Sequence, residues 1–318
     1  MCDFRSSRSD LQDNDRASSL YAHGQSPASR IGQTFERQFA DFSATEPNNR
    51  GDRELRQESI ARFYDKALKI QAYSRYYEDT GYFNFGFWGE GAKSQRDASD
   101  ALVDQLVQRI TVKGGRILDV ACGAGGTTKR LGQSYEPEKI TAINISEVQL
   151  NAARDRVPEA TFLCMSATEL KFPAGYFDAV VCVEAAHHFD TRQTFFGEAF
   201  RVLKPEGSLV LTDMLFRSYP RFLARFDDVP LANHLPDIAA YQAQLGSAGF
   251  TAVSIEDVTD TCVKGFQRHL VGWPASEYRE GRMSLPVRLF AAVFSKAFTA
   301  YLAAGCKSYF IATARKPL

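Results

Sequence analysis

The segment Ile117-Leu118-Asp119-Val120-Ala121-Cys122-Gly123-Ala124-Gly125-Gly126 decides the fold. Its first four residues predict a short buried strand, and the glycines that follow predict a sharp turn. The helix predicted next begins at Thr127 and continues to Leu131. Because glycine has no side chain, the backbone of such a turn approaches a ligand closely, and the start of the helix offers unpaired N–H groups. The segment therefore predicts a ligand-binding turn at the end of the first strand.

The segments after the turn alternate between strand-like and helix-like patterns. Short apolar runs predict four more strands, at Lys139–Ile145, Thr161–Met165, Phe177–Val183 and Gly207–Thr212. Helices are predicted between them, and two final strands have candidates at Thr251–Val258 and Ser308–Ala314. Strands that alternate with helices are typical of a parallel sheet covered on both faces. We therefore expect an α/β protein with a doubly wound, Rossmann-like sheet.

Composition and charge exclude several classes of function for this chain. The 318 residues include 38 Lys or Arg and 38 Asp or Glu, so the formal net charge is zero. A neutral chain is a poor candidate for binding nucleic acid through a broad basic surface. The six cysteines lack the close spacing of zinc or redox motifs, and the first 30 residues contain no apolar signal sequence. These features predict a soluble protein of the reducing cytoplasm, with no metal site.

A dinucleotide-binding fold is the first competitor for the glycine-rich turn. Its fingerprint, Gly-x-Gly-x-x-Gly, needs a third glycine at position 128, where this chain has Thr128. Asp119, four residues before the first glycine, is not part of that fingerprint either. An oxidoreductase is therefore disfavoured, and a generic tight turn is the structural alternative.

The run from Ile117 to Gly126 instead resembles motif I of the class I S-adenosylmethionine-dependent methyltransferases. In that family the acidic residue anchors the methionine end of the cofactor, so the resemblance implies this role for Asp119. Gly123 and Gly125 would make room for the cofactor. The resemblance extends over roughly residues 60–318 and implies a mostly parallel, seven-stranded sheet with an N-terminal helical cap and a helical acceptor lid.

The domain boundaries follow from this resemblance and from a change in composition. Residues 1–57 are polar and are predicted to form a mostly disordered tail, with a short helix around Ile31–Phe42 left open. Residues 58–318 would form the methyltransferase domain. It would divide into the cap at 58–112, the cofactor-binding core at 113–213, and the acceptor lid with the final strands at 214–318.

The same resemblance assigns the rest of the cofactor site. The family places a polar, usually acidic, residue at the end of the second strand to bind the ribose hydroxyls, and this chain has Asn144 there, followed by Ile145. Asn144 lacks the charge of an acid, and Gln149 is expected to assist it. Ser166 and the backbone near Ala167 are expected beside the adenine, where the family usually has an aspartate.

A histidine pair, His187 and His188, follows the fourth strand, where ligands bind in a doubly wound sheet. Histidine suits a base that removes a hydroxyl proton near neutral pH. The segment resembles natural-product methyltransferases, including sugar O-methyltransferases in which such a pair works with an aspartate after the fifth strand. That resemblance implies His187 or His188 as the base and Asp213 as its partner, and a packed or surface histidine pair is the structural alternative.

Aromatic residues precede the sheet. The resemblance includes Tyr64-Asp65 and the segment Asn84–Trp88, which in the same branch of the family close over the cofactor. It implies cofactor contacts for Tyr64 and Trp88, because aromatic rings attract a sulfonium cation. Packing of the cap onto the sheet is the alternative. Glu184 is expected to contact either the cofactor or this loop.

Two late segments, Met214–Leu235 and Cys262–Ala304, are predicted to form the acceptor lid. Their large apolar side chains are expected mostly in the core, with a share lining an apolar acceptor pocket. They are Phe216, Tyr219, Phe222, Phe226, Trp273, Leu289, Phe290, Phe294, Phe298 and Tyr301. The most apolar stretch, Leu285–Ala304, carries Arg288 and Lys296, so it is predicted to be an amphipathic helix and not a membrane span.

The sequence therefore predicts a small-molecule methyltransferase with S-adenosyl-L-methionine as its cofactor. The expected acceptor is a hydroxyl of an apolar or glycosylated small molecule, such as a terpenoid, a polyketide or a sugar-bearing compound. C-methylation of a prenyl or terpenoid alkene and a non-catalytic cofactor-binding partner subunit remain alternatives. Neither nucleic acid nor a transmembrane segment is expected, and a homodimer is left open.

Overall fold

The computed structural model describes residues 50–89, 91–217 and 229–318 of the chain. The predicted tail up to residue 49, with the helix around Ile31–Phe42, lies outside the described residues. Three of the predicted lid aromatics lie outside them as well, namely Tyr219, Phe222 and Phe226.

Seven strands form one sheet in the order β3-β2-β1-β4-β5-β7-β6. Their bounds are β1 Ile117–Val120, β2 Ile140–Asn144, β3 Thr161–Cys164, β4 Phe177–Val183, β5 Leu203–Phe216, β6 Thr251–Asp257 and β7 Cys306–Arg315. The first five strands pair in parallel, and β7 runs antiparallel to both β5 and β6. The predicted α/β, mostly parallel seven-stranded sheet is confirmed.

Helices lie before the sheet and between its strands. Their bounds are α1 Arg50–Lys69, α2 Gln71–Tyr76, α3 Gln95–Arg109, α4 Gly126–Leu131, α5 Glu147–Arg156, α6 Arg192–Val202, α7 Ile238–Ser247, α8 Gly265–Arg279 and α9 Leu285–Gly305. The first three form the cap, whereas α8 and α9 are inserted between β6 and β7.

Both faces of the sheet are covered, which is why the central strands are apolar throughout. All four residues of β1 are buried, and successive side chains of a strand point to opposite faces. On one face Phe195 of α6 and Tyr241 of α7 pack against the sheet, and on the other Leu102 and Leu106 of α3 do so. Full burial of a large apolar side chain stabilises the fold by about 1.5–3 kcal/mol.

β5 is longer than the sequence predicts, at both ends. It extends to Phe216 because β7 pairs with it antiparallel, from Ser208 opposite Arg315 to Phe216 opposite Cys306. Asp213 therefore lies inside the strand, opposite Phe310, and not after the strand as expected. This position makes the Asp213 side chain fully buried.

Helix α1 begins at Arg50, so residues 50–57, which were assigned to the tail, form its first two turns. The helix passes over the ends of three strands, β3, β2 and β4. Gln57 Nε2 lies 3.4 Å from Ser166 Oγ after β3, and Asp65 Oδ1 lies 2.5 Å from Ser146 Oγ after β2. Tyr64 Oη lies 3.5 Å from His188 Nε2 after β4. The cap therefore closes the edge of the sheet where ligands bind in this architecture.

Most of the described lid aromatics on α9 face outward. Leu289, Phe290, Phe294 and Tyr301 have exposed fractions between 43% and 57%. The expectation that they belong to the core is wrong, because α9 packs through its small and polar side. Ser295 is buried, and Gln267 Nε2 of α8 donates to Thr299 O at 2.9 Å. Among the described residues, α9 is the one helix long and apolar enough to cross a membrane, with a mean hydropathy of 1.3.

The position of α1 predicts the effect of truncation. A chain that starts at residue 50 should keep a rise in melting temperature with S-adenosylhomocysteine, because it retains all of α1. A chain that starts at residue 70 should lose that rise, since Gln57, Tyr64 and Asp65 are removed. Thermal unfolding with and without the ligand measures this difference. An equal rise in both truncated chains would show that α1 is not part of the site.

Candidate active site

The turn between β1 and α4 has the backbone that its glycines predict. Gly123 and Gly125 have φ angles of +57° and +85°, values that side chains disfavour. A Cβ atom on Gly125 would lie 2.9 Å from the Cα of Ala153 in α5, so this glycine is required for helix packing. A Cβ atom on Gly123 would lie 3.1 Å from Phe83 Cδ2, so the ring of Phe83 lies against the turn.

Asp119 lies at the base of this turn and is 1% exposed. Burial raises its pKa to about 7, and a hydrogen bond from Thr128 Oγ1 opposes part of that rise. The hydroxyl donates to Asp119 Oδ2 at 2.7 Å. Thr128 thus fixes the orientation of the carboxylate. In the dinucleotide-binding fingerprint the same position is occupied by the third glycine. The sequence analysis excluded that fold on Thr128 but did not find this contact.

The end of β2 holds Asn144 in a network of neighbouring polar groups. Its Oδ1 accepts from Ile145 N at 2.7 Å, and its Nδ2 donates to Gln149 Oε1 at 3.1 Å. Gln149 Nε2 in turn donates to Asp65 Oδ1 at 3.3 Å. The structure therefore brings together Asn144, Ile145 and Gln149 as expected, and it adds a carboxylate, that of Asp65, from α1.

After β3 the two residues expected near the adenine face different ways. Ser166 Oγ lies 3.4 Å from Gln57 Nε2 and 3.0 Å from Thr168 Oγ1. Ala167 is 6% exposed and packs in the core beneath the sheet end. Ser166 therefore presents a polar hydroxyl group at the end of β3. The side chain of Ala167 is buried, so only its backbone is suited to a ligand contact.

The histidine pair lies on a short 3₁₀ turn, Ala186–His188, directly after β4. The two rings are 4.1 Å apart. His187 is buried, and its Nδ1 lies 3.0 Å from Asp213 Oδ1. His188 is partly exposed and its Nε2 approaches the Tyr64 hydroxyl at 3.5 Å. The predicted partnership of a histidine with Asp213 is present for His187.

Asp213 is held by more donors than His187 alone. Arg192 Nε donates to its Oδ2 at 2.7 Å, the Tyr241 hydroxyl to the same oxygen at 2.9 Å, and Met214 N to its Oδ1 at 2.8 Å. Burial by itself would raise the pKa of Asp213, but the Arg192 charge and the His187 hydrogen bond hold it well below its usual range. The carboxylate is therefore ionised throughout the physiological range. We call these four side chains the Asp213 network: Asp213, His187, Arg192 and Tyr241.

Asn233 joins this network to the histidine turn. Its Nδ2 donates to His187 O at 3.0 Å and to Phe189 O at 2.7 Å, and its Oδ1 accepts from Arg192 N at 2.9 Å. The Arg192 guanidinium also donates to Asn233 O. No sequence pattern predicts the roles of Arg192, Tyr241 and Asn233, because their partners are remote along the chain.

Glu184 contacts the aromatic loop, Tyr82–Trp88, which was one of its two expected contacts. Its Oε1 accepts from Phe85 N at 2.8 Å and from the Tyr309 hydroxyl at 2.6 Å. Burial raises the pKa of Glu184 to about 8, although the two hydrogen bonds lower it in part. The carboxyl group therefore fixes the middle of the loop to β4 and β7.

Trp88 lies at the far end of the aromatic loop, against α8. Its Nε1 donates to Phe85 O at 2.9 Å, and its ring centroid is 4.6 Å from that of His269. These contacts agree with the alternative that the aromatic residues of the loop serve packing and do not contact the cofactor. The ring that lies against Gly123 is that of Phe83, which in turn is 5.4 Å from the ring of Tyr64. The aromatic residue that the sequence analysis missed is thus Phe83.

Comparison with known proteins decides the family. Residues 118–211 match the family described as "Methyltransferase domain". The chain is 31% identical over 248 residues to the 27-O-demethylrifamycin SV methyltransferase of Amycolatopsis mediterranei, across 73% of this chain and 89% of that protein. This chain belongs to the class I S-adenosylmethionine-dependent methyltransferases.

One further relative and one solved structure are similar to this chain. The chain is 27% identical over 262 residues to the erythromycin 3''-O-methyltransferase of Saccharopolyspora erythraea, across 74% of this chain and 84% of that protein. The crystal structure of the [4+2]-cyclase SpnF has the same fold, with a TM-score of 0.63 and 24% identity over 82% of this chain and 96% of that chain. The predicted enzyme class and cofactor, S-adenosylmethionine, are confirmed.

The residues at the sheet edge fit this cofactor. A buried carboxylate, Asp119, lies beside the glycine-rich turn, and Asp65 with Gln149 supplies polar groups at the next strand. A cationic ligand favours the ionised form of a carboxyl group whose pKa is raised. Asp119 is therefore suited to a ligand that carries an ammonium group.

The pKa of Asp119 predicts how cofactor affinity depends on pH. If the Asp119 carboxylate binds the ammonium group of the cofactor, affinity for S-adenosylhomocysteine should fall as pH falls through 7, because burial raises the pKa of Asp119 to about 7. The decrease should approach about tenfold per pH unit below that value. Titration calorimetry from pH 5.5 to 8 measures it, and Asp119→Asn should bind weakly without this pH dependence. Equal affinity of the wild type at pH 6 and pH 8 would contradict the assignment.

Proposed function

We propose that this methyltransferase methylates a hydroxyl group of an apolar or glycosylated small molecule and that His187 is the general base. The pairing of His187 with an ionised, fully buried Asp213 carries the proposal. Both relatives described above are named as methyltransferases of natural products, one of them as an O-methyltransferase.

The Asp213 network supports one tautomer of His187. An ionised carboxylate accepts hydrogen bonds only, so His187 donates to it from Nδ1–H. The neutral imidazole then has its lone pair on Nε2, where it can accept a proton from a hydroxyl group. Asp213 also stabilises the imidazolium that forms, as the aspartate does in the Ser-His-Asp triad.

In this proposal, His188 and Tyr64 form part of the side of the site that faces the acceptor. The 3.5 Å between Tyr64 Oη and His188 Nε2 joins the cap to the histidine turn. His187 also lies 5.5 Å from the ring of Phe216, so an apolar wall adjoins the base. A hydroxyl group presented on an apolar scaffold suits such a site.

Cofactor binding is assigned to the turn and its neighbours. We propose that Asp119, with Gly123 and Gly125, holds the methionine end and that Asn144, Gln149 and Asp65 hold the ribose. Ile145, Ser166 and the Ala167 backbone would line the adenine, with Tyr64 and Phe83 over the centre and Glu184 fixing the loop that covers it. When bound, the cofactor supplies an electrophilic methyl group. The residues of the chain align the acceptor and remove its proton.

The cytoplasm is the compartment that we propose for this enzyme. Cys122, Cys182, Cys262 and Cys306 are free and buried. Burial raises the pKa of Cys182 and Cys262 well above the usual value, so these thiols stay protonated and unreactive. These four free thiols support a reducing environment, whereas the disulfide bond of Cys164 counts against it.

Replacement of each histidine tests the base. His187→Ala should lower turnover by about 10²–10⁴-fold, the usual effect of removing a general base. Affinity for S-adenosylhomocysteine should change little, because the lost contact is made to the acceptor. His188→Ala is the matched control, and its effect on turnover should be smaller. The assay follows released S-adenosylhomocysteine together with the methylated product, using labelled cofactor and a panel of apolar hydroxylated acceptors.

The product profile separates O-methylation from C-methylation. If the acceptor is an alkene, His187 would act on a cation after methyl transfer, and the Ala variant would still consume cofactor but release altered products. Undiminished turnover with an unchanged product in both variants would show that the histidine pair is structural. Failure of any acceptor to react with the wild type while S-adenosylhomocysteine binds would favour a non-catalytic partner subunit.

The Tyr241 hydroxyl allows a milder test of the Asp213 network. Tyr241→Phe keeps the ring, which packs 4.7 Å from Phe310, and removes one hydrogen bond to Asp213. The free energy of unfolding should fall by about 1.5–3 kcal/mol, the value of a hydrogen bond to a charged group. Turnover should fall less than in His187→Ala. A loss of stability with fully retained turnover, measured by denaturation and kinetics, would restrict Tyr241 to a structural role.

A further inference from the structure

Glu184 is held in a fixed place directly after β4. Its φ angle is +51°, a left-handed value that side chains disfavour, and its N–H donates to Thr212 O of β5 at 3.1 Å. Non-glycine residues keep such backbone angles only where the surrounding structure imposes them. The side chain is directed toward the cap, where its Oε1 accepts from Phe85 N and from the Tyr309 hydroxyl. The structure therefore determines where this carboxyl group lies.

The position of Glu184 is between the glycine turn and the histidine turn. Val120 lies opposite Cys182 in the neighbouring strands β1 and β4, and Glu184 follows two residues later. The glycine turn begins at the same level of β1, one strand spacing of about 4.8 Å away. The histidine turn, Ala186–His188, begins two residues after Glu184. Glu184 therefore lies between the proposed methionine-binding turn and the proposed base.

The aromatic loop also joins Glu184 to the glycine turn. Phe85, whose N–H donates to Glu184, is two residues from Phe83, whose ring lies against Gly123. Two residues of chain span at most about 7 Å. A ligand at the glycine turn is therefore within reach of the charge on Glu184.

The Glu184 carboxyl group has no cation among the hydrogen-bond partners that the described residues supply. Both donors to its Oε1 are neutral, and the Asp213 carboxylate raises its pKa further beyond the main effect of burial, to about 8. The other titratable groups that act on it keep their protons, because burial raises their pKa values as well. They are Tyr73, Tyr77, Tyr309, Cys262 and Cys306. A cationic ligand would supply the charge that this carboxylate lacks.

We propose that Glu184 binds the positive charge on the cofactor sulfur and thereby selects S-adenosylmethionine over S-adenosylhomocysteine. The inference rests on the cofactor site proposed above, in which the sulfur lies between the glycine turn and His187. The two ligands share the ammonium group, the ribose and the adenine. They differ at sulfur, which is a sulfonium cation in the first and a neutral thioether in the second. Asp119 and Asp65 therefore treat the two ligands alike, whereas a carboxylate beside the sulfur does not.

The same charge favours release of the product. In the proposed reaction the C–S bond breaks with its electron pair left on sulfur, the methyl group bonds to the acceptor oxygen, and the acceptor proton passes to His187. Sulfur becomes neutral, so Glu184 loses the cation that balanced its charge. Because a buried carboxylate without a cation is unfavourable, the complex with S-adenosylhomocysteine is weaker than the complex with S-adenosylmethionine.

Titration calorimetry of the full chain with each ligand, without an acceptor, tests the inference. The quantity compared is the ratio of the affinity for S-adenosylmethionine to that for S-adenosylhomocysteine. In the wild type this ratio should rise about tenfold or more from pH 6 to pH 9, because an opposite charge within about 4–6 Å lowers the pKa of a carboxyl group by about 1–3 units. In Glu184→Gln the ratio should not depend on pH, and at pH 9 it should be about tenfold or more below that of the wild type.

Three features of the variants separate the charge of Glu184 from its structural role. Glutamine keeps an oxygen that can accept from Phe85 N and Tyr309, so the loop contacts are retained. Asp119→Asn should weaken both ligands by a similar factor and leave the ratio unchanged, because both carry the ammonium group. Tyr309→Phe removes a hydrogen bond that lowers the pKa of Glu184, so the rise in the ratio should move to higher pH. Thermal unfolding without ligand establishes that each variant is folded.

The outcomes that contradict the inference differ from those that contradict the cofactor site. Equal weakening of both ligands in Glu184→Gln would overturn the inference, because Glu184 would then only fix the loop. A wild-type ratio that stays constant from pH 6 to pH 9 would overturn it as well. In both cases, binding of both ligands to the wild type would still support the proposed cofactor site. Binding of neither ligand would overturn that site and this inference with it.

Discussion

Burial of the Asp213 carboxylate organises the catalytic end of the molecule. An unpaired charge in this position would cost several kcal/mol, so each neighbouring element supplies a donor. Arg192 comes from the start of α6, Tyr241 from α7 and His187 from the turn after β4. Because one carboxylate joins all three elements, the orientation of His187 is fixed by the packing of the sheet itself.

Two other acids behave differently from Asp213. Asp119 lies in β1 and Glu184 follows the neighbouring strand β4. Burial raises the pKa of the first to about 7 and of the second to about 8. Neither has a cation like Arg192 beside it among its described hydrogen-bond partners, which are Thr128, Phe85 N and Tyr309. A positively charged ligand would favour ionisation of both. The site thus has one carboxylate compensated by the protein and two that a cationic cofactor can compensate.

The cap completes the site from one side, and the α8–α9 hairpin extends the molecule on the other. Helix α1 brings Asp65 to Gln149, where the sequence has Asn144 in place of the acid usual in the family. A missing charge on the sheet is therefore replaced from a different element. The outer face of α9 is directed away from the protein core.

The sequence by itself determined the alternation of strands and helices and the glycine turn at Gly123–Gly125, and the family resemblance implied that His187 or His188 pairs with Asp213. These features depend on local patterns: the periods of apolar residues, the freedom of glycine and a recognisable motif. Only the tertiary structure decided the roles of Arg192, Tyr241 and Asn233, the position of Phe83 against the turn, and the contact of Thr128 with Asp119. It also decided that α9 faces outward, because an apolar stripe shows only that a helix has an apolar side. Which surface meets that side depends on contacts between residues far apart in the chain.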